Sequence, residues 1–329
     1  MALMRSAAHA VLLLSSALRC SEGSCVRAWR STRSPARPPT SSWPPPSAFP
    51  LNIRRRSNTL ARISALEGGK GKARTALEEV DAKGEFKRVA AAYRNTIAPD
   101  TRFEPEAGRY HLYVALGCPW AQGTLAALKY KGLDGVISHS IVHPTWRRTR
   151  PDDPDDLHSG WHFRAPGDAP VSTETGYGSF ECDDALLPDV VNGCSTIREL
   201  YELANDEVGK YSTPVLWCKK EGTIVCNESV EILKMLDSAF SSLSTQPERI
   251  LFKLAEMAEA EQLNELIYPC LNNGVYRAGF ATTQEAYTKA HNEVFDALDK
   301  LEARLELSST AFLTGEELTW IDLRLFMTL

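Results

Sequence analysis

The chain has 329 residues, 43% of them hydrophobic and 24% charged, enough to bury a sizeable core in two domains plus a non-globular segment. A formal net charge of −5, with no concentrated Lys/Arg stripe in the globular part, gives no electrostatic footprint for nucleic acid. The most apolar stretch, Ala7 to Leu18, is too short to span a bilayer, and the eight cysteines show neither a C-x-x-C pair nor a zinc-like spacing with histidine, so a metal is not expected.

Through Arg62 the chain carries ten Arg, no Lys and a single acid, Glu22, among many Ser, Ala and Pro residues. That is the composition of an organellar import segment. Its first 25 residues have the order of a signal peptide and an Arg/Ser/Pro-rich stretch follows, which together predict two-step import to a plastid; a simple mitochondrial or plastid transit peptide is the competing reading. We assign residues 1–72 to this segment and residues 73–108 to an extension before the first firm element.

That element is Arg109 to Leu116, where Tyr110, Leu112 and Val114 alternate with His111, Tyr113 and Ala115, the pattern of a strand. Gly117-Cys118-Pro119 breaks it. Pro119 suits a first helical position, and a helix is predicted over Ala121 to Lys131, stopped by Gly132, with Cys118 at its N-cap. Gly135 to Val142 reads as a second strand, parallel to the first because the connection is a helix. Trp146 to Pro188 is rich in Asp, Pro and Gly and reads as a long solvated excursion anchored at Gly160-Trp161. A short helix over Ile197 to Leu203 precedes an antiparallel hairpin, Thr213 to Trp217 with Thr223 to Val225, in which Cys218 faces Thr223 and Cys226 faces Val215. Asn227 is the expected cap of a helix running through Leu236.

This order of elements is that of a thioredoxin-like domain, placed over residues 109–243 with the excursion at 146–188. From residue 244 the periodicity turns helical, with helices expected over Ile250 to Leu271 and Gln284 to Leu305 and a capping box at Thr319 to Asp322 opening a third. The fold class is therefore α/β followed by an all-α domain over 244–329.

A thiol at a helix N-terminus meets unpaired N–H groups and the positive end of the helix dipole, which favour thiolate. In Cys118-Pro119-Trp120-Ala121 the fourth residue is Ala, so no resolving cysteine waits one turn along. A mixed disulfide at Cys118 then needs an external thiol, and glutathione is the expected one. Thr213-Pro214 and Glu228-Ser229 complete the pattern: a cis proline would expose the Thr213 backbone to an extended thiol peptide, while Glu228 offers a carboxylate to a γ-glutamyl ammonium and Ser229 with the helix N–H groups meets its carboxylate.

With these residues the chain resembles the glutathionyl-hydroquinone reductases, also called Xi-class glutathione transferases. The matching stretches are RYHLYVALGCPWA (109–121), GW (160–161), GKYSTPVLW (209–217), GTIVCNESVEILKMLDSAF (222–240) and NNGVYRAGFATTQEAY (272–287). The resemblance implies that Cys118 attacks the glutathionyl sulfur of a quinone-derived thioether, that Tyr276 gives a proton to the departing aromatic carbon, and that Trp161, Lys210, Tyr211, Ser212, Thr213, Glu228 and Ser229 hold glutathione. It also implies a homodimer, and family members that continue through further helices, so that the helical domain here is expected to be incomplete. Two further departures stand out. Gln122-Gly123 replaces a usual His-Arg pair, which implies a less activated nucleophile and a helix weakened by Gly123. Thr213, Cys218 and Cys226 stand where Val, Asp and Asn are common. An omega-like thioltransferase or dehydroascorbate reductase, or a silent glutathione-binding module, would share the same core pattern.

Overall fold

The computed structural model describes residues 73–329 apart from 75 and 174–176, so the import segment lies outside the described residues. The first strand, β1 (Tyr110–Ala115), is buried along its whole length. It sits inside a four-stranded sheet of order β2-β1-β5-β6, where β2 is Ser138–Val142, β5 Val215–Cys218 and β6 Thr223–Cys226. β1 and β2 are parallel; β1–β5 and β5–β6 are antiparallel. Polar residues in β1 are buried with partners: the His111 ring lies 2.7 and 2.9 Å from the Ser138 and Ser140 hydroxyls, and the Tyr113 hydroxyl donates to Asp189 at 2.8 Å.

Helix α1 (Pro119–Tyr130) follows β1 with Pro119 in its first turn and Cys118 as N-cap, as the sequence predicts, and Gly132, at φ +62°, ends it. α2 (Ile197–Leu203) has the expected bounds, and Thr196 caps it. α3 (Ser229–Ser238) has Glu228 in its N-cap position, where the sequence suggests Asn227. The Asn227 side chain is used elsewhere: it accepts the Tyr93 N–H at 3.1 Å and donates to the Tyr201 hydroxyl at 2.8 Å.

Other departures have equally local causes. β2 starts three residues later than the apolar run suggests, because Val136 and Ile137 close the turn after α1 by donating to the Leu133 carbonyl at 2.9 Å each. In the hairpin Cys218 faces Thr223 as expected, but an irregularity between Leu216 and Trp217 makes Cys226 face Leu216 instead of Val215. The excursion is tied down more than its composition suggests: β3 (Arg147–Arg148) pairs with β4 (Ser159–Gly160), Leu187 bridges to Ile141, and Val171, Cys182 and Leu186 form a small satellite core.

The helical part comprises α4 (Met257–Leu266), a wide-turned segment Ile267–Asn272, α5 (Gly274–Gly279), α6 (Gln284–Leu307) and α7 (Trp320–Phe326). The periodic run from Ile250 becomes regular helix only at Met257. Pro269, which has no N–H to give, lies in the wide turn, and the Asn273 N–H reaches back to the Tyr268 carbonyl at 2.8 Å. The capping box of α7 forms, with the Thr319 N–H donating to Asp322 at 2.9 Å. The α6 helix is capped by Thr283 and runs two residues past the expected Leu305.

Two contacts lock the helical part to the sheet domain. At the C-terminal end of α1, Lys131 is fully buried and pairs with Asp237 of α3 at 2.9 Å, while Asp237 also accepts the Leu251 and Phe252 N–H groups at 2.9 and 3.0 Å. Nearer the start of α1, Gly123 is where Met327 packs, and a Cβ there would overlap its sulfur. The glycine that looks like a weakness within α1 is therefore what lets the end of α7 approach. Removing one partner of the buried pair strands the other: Lys131→Met is expected to lower unfolding stability in urea by about 3–5 kcal/mol, and Lys131→Met/Asp237→Asn, whose amide is neutral yet still accepts a backbone N–H, to recover part of that loss.

Candidate active site

Cys118 sits where β1 ends and α1 begins, 9% exposed, with its backbone extended (φ −102°, ψ 112°). Its thiol donates to the Thr213 carbonyl at 3.4 Å, and Thr213-Pro214 is cis, as the sequence predicts. The helix start thus meets the loop before β5 at a single sulfur. Two cavities that share Arg88, Trp120, Lys210, Ser212 and Thr213 as walls lie beside this point. The larger, about 360 Å³, is bordered by Cys118, Trp146, Trp161 and Tyr276 and by the run 210–213; the smaller, about 80 Å³, reaches from Ser212-Thr213-Pro214 to Asn227-Glu228-Ser229. Every residue assigned from the sequence to catalysis or glutathione binding therefore borders one of these two cavities.

The assigned groups have distinct surroundings. Trp161 stands edge-on to Trp146 with ring centroids 5.5 Å apart, over Gly117, so it both fastens the excursion and walls the cavity. Tyr211 is edge-on to His158 at 5.2 Å. Lys210 is bound to Glu79 at 2.5 Å and donates to the Val89 carbonyl at 3.0 Å, joining the run to the N-terminal extension. The Ser212 carbonyl accepts from Tyr201 at 2.9 Å. Ser229, 3% exposed, lies 3.5 Å from the Glu228 carboxylate at the start of α3.

Tyr276 enters from α5, and its position rests on the block 272–280. Asn272 donates to the Arg324 carbonyl at 2.7 Å and to Thr328 at 2.6 Å; a Cβ at Gly274 would come 3.0 Å from Val294, so the chain there passes close to α6. Tyr276 stacks among Phe86, Trp120 and Phe280 at 6.0–6.5 Å between ring centroids. Burial, reinforced by the neighbouring Cys118, pushes its phenol up to about 12, so it keeps its proton at neutral pH and is available as an acid.

The extension also supplies groups that the sequence reading leaves unassigned. Residues 86 and 88 reach the larger cavity and 88–92 wall the smaller one. Arg88 stacks on Tyr276 with its guanidinium carbon 4.3 Å from the ring centroid and on Trp120 at 5.0 Å. The faint signal was an aromatic and a cation, Phe86 and Arg88, two residues apart in a segment with no periodicity.

For Cys118 the expected activation is present but outweighed. Burial pushes the thiol above its ordinary value, against opposing help from the Trp120 and Ala121 N–H groups and from Arg88. Gln122 adds no charge; its amide donates to the Leu116 carbonyl. In the unliganded protein Cys118 is therefore mostly thiol at neutral pH. Its alkylation by iodoacetamide is expected to climb by about tenfold per unit between about pH 7 and about pH 9; a plateau already reached near neutrality would contradict this.

Comparison with known proteins agrees with this geometry. Residues 117–239 match the family model of the glutathione S-transferase N-terminal domain and residues 284–329 that of the C-terminal domain. The chain is 38% identical over 251 residues to a glutathione S-transferase omega-like 2 of Schizosaccharomyces pombe, covering 75% of this chain and 72% of that one. It is 39% identical over 255 residues to the glutathionyl-hydroquinone reductase YqjG of Escherichia coli, covering 75% and 69%. Among solved structures, the Xi glutathione transferase of Phanerochaete chrysosporium aligns with a TM-score of 0.62 at 37% identity, over 76% of this chain and 72% of that one. The glutathione-bound structure of YqjG aligns with a TM-score of 0.59 at 36% identity, over 75% and 72%. With the thiol at the head of α1, the cis Thr213-Pro214 turn and these relatives in agreement, the chain belongs to the Xi-class glutathione transferases, the family of the glutathionyl-hydroquinone reductases.

Proposed function

We propose that the protein reduces glutathionyl-hydroquinones to hydroquinones, using Cys118 as a monothiol nucleophile and glutathione as co-substrate. The observation that carries this reading is the placing of Cys118, with Ala121 instead of a second thiol one turn along, and Tyr276 around the same cavity. The glutathionyl backbone runs along Thr213, its γ-glutamyl ammonium meets Glu228, and its carboxylate meets Ser229 and the first N–H groups of α3. Lys210, Tyr211, Ser212 and Trp161 border the remainder of the tripeptide. The aromatic ring occupies the larger cavity, beside Phe86, Trp146 and Phe280.

In the first step the Cys118 thiolate attacks the glutathionyl sulfur. An S–S bond forms, the bond from sulfur to the aryl carbon breaks, and that carbon takes the proton of Tyr276 as hydroquinone departs. In the second step a glutathione thiolate attacks the mixed disulfide, giving oxidised glutathione and regenerating the Cys118 thiolate, while the proton lost by glutathione restores Tyr276 through solvent. One glutathionyl-hydroquinone and one glutathione thus yield one hydroquinone and one oxidised glutathione.

The N-terminal composition supports a plastid as the place of action, and a fluorescent protein fused to residues 1–72 should be imported by plastids; accumulation in mitochondria would favour the simple transit peptide instead. For the reaction, incubation with glutathionyl-menadiol and glutathione should release menadiol and oxidised glutathione in equal amounts, and Cys118→Ser should release neither. Tyr276→Phe should lower kcat by roughly a hundredfold while leaving disulfide exchange at Cys118 intact. Turnover of small mixed disulfides without menadiol release would identify an omega-like thioltransferase.

A further inference from the structure

The extension is not a loose leader to the sheet domain. Glu79 holds it from within, bonding the Val89 N–H at 3.0 Å and pairing with Lys210, and the Thr282 N–H donates to the Gly84 carbonyl at 3.1 Å at the corner between α5 and α6. Gly84, at φ +78°, lies so close to Thr283 that a side chain there would clash. The strap is therefore fixed at both ends of a short run, and that run carries Arg88 over the active site.

Arg88 is anchored through Nε, which donates to the Asn273 amide oxygen at 2.7 Å, while its Nη2 is buried with no hydrogen-bond partner among the described residues. A neutral amide leaves the guanidinium charge uncompensated. The other ionisable groups around the larger cavity are differently placed. Lys210 is paired with Glu79 at 2.5 Å and Arg74 with Glu78 at 3.7 Å, and burial holds His158 below its ordinary value, hence neutral. From α7, Arg324, whose Nε and Nη1 are likewise buried without a hydrogen-bond partner among the described residues, reaches Trp120 at 5.5 Å and Tyr268 at 4.9 Å but, unlike Arg88, does not line the larger cavity. Glu228 lies on the wall of the smaller cavity.

We propose that Arg88 is the positioning cation of this active site, its guanidinium holding the anionic forms of Cys118 and then Tyr276 through thiol transfer. For Tyr276 this rests on the reaction described above; for Cys118 it does not. As the thiolate is consumed, the negative charge passes from Cys118 Sγ to Tyr276 Oη when the phenol gives up its proton. Both atoms belong to residues that border the cavity with Arg88, so the charge changes atoms without leaving the field of the same guanidinium.

The test is the rate of iodoacetamide alkylation of Cys118 in the full chain, read by peptide mass spectrometry at fixed alkaline pH. Arg88→Gln is expected to slow it by roughly tenfold, and Arg88→Lys to retain most of the wild-type rate. Asn273→Asp, which keeps the anchor of the guanidinium but neutralises its charge, should slow alkylation about severalfold. Wild-type rates in Arg88→Gln, or equal slowing in the Gln and Lys variants as a packing role would give, overturn the proposal. If the unaltered protein releases no menadiol from glutathionyl-menadiol, the reaction reading fails, and the alkylation series still decides the role of Arg88 at Cys118.

Discussion

The conflict at Cys118 between burial and charge organises this protein. A thiol transfers sulfur only as thiolate, yet the place where β1, α1 and the loop before β5 converge is 9% exposed and disfavours any charge. What offsets the burial is local and directional: the N–H groups of Trp120 and Ala121 at the head of α1, and the guanidinium of Arg88.

Everything else in the fold serves to hold these few groups in register. The sheet fixes the end of β1 against the start of β5; the buried pair of Lys131 and Asp237 pins α1 and α3 to the segment that leads into the helices. The helical domain then returns Tyr276 to the sulfur. Its block at 272–280 works as a unit, with Asn272 bound to α7, Asn273 to Arg88, Gly274 against α6, and Tyr276 and Phe280 in the wall of the cavity. The site is assembled from pieces of chain far apart in sequence, and the extension supplies a further wall.

The thioredoxin-like order, the position of Cys118 before a helix, the cis proline and the capping box of α7 were all legible because each depends on short-range chemistry: proline at a helix start, glycine at its end, alternation along a buried strand. Residues of the run 210–213, with Glu228, Ser229 and Trp161, could be placed at the site because their motifs travel together. What escaped the sequence depends on contacts between distant segments. Nothing near Asn227 indicates that Tyr93 and Tyr201 claim its side chain, and nothing near Gly123 indicates that Met327 needs the space. Arg88 belongs to the same class, a single cation in an aperiodic stretch whose meaning appears only once Asn273, Trp120 and Tyr276 surround it.

In the proposed reaction one sulfur carries glutathione between two partners. The most direct measurement is rapid-quench mass spectrometry of the intact protein mixed with a stoichiometric amount of glutathionyl-menadiol and no free glutathione. One glutathione adduct, mapped to Cys118 and formed together with one equivalent of menadiol, is the predicted result. Menadiol release without an adduct, or an adduct on another cysteine, would contradict it.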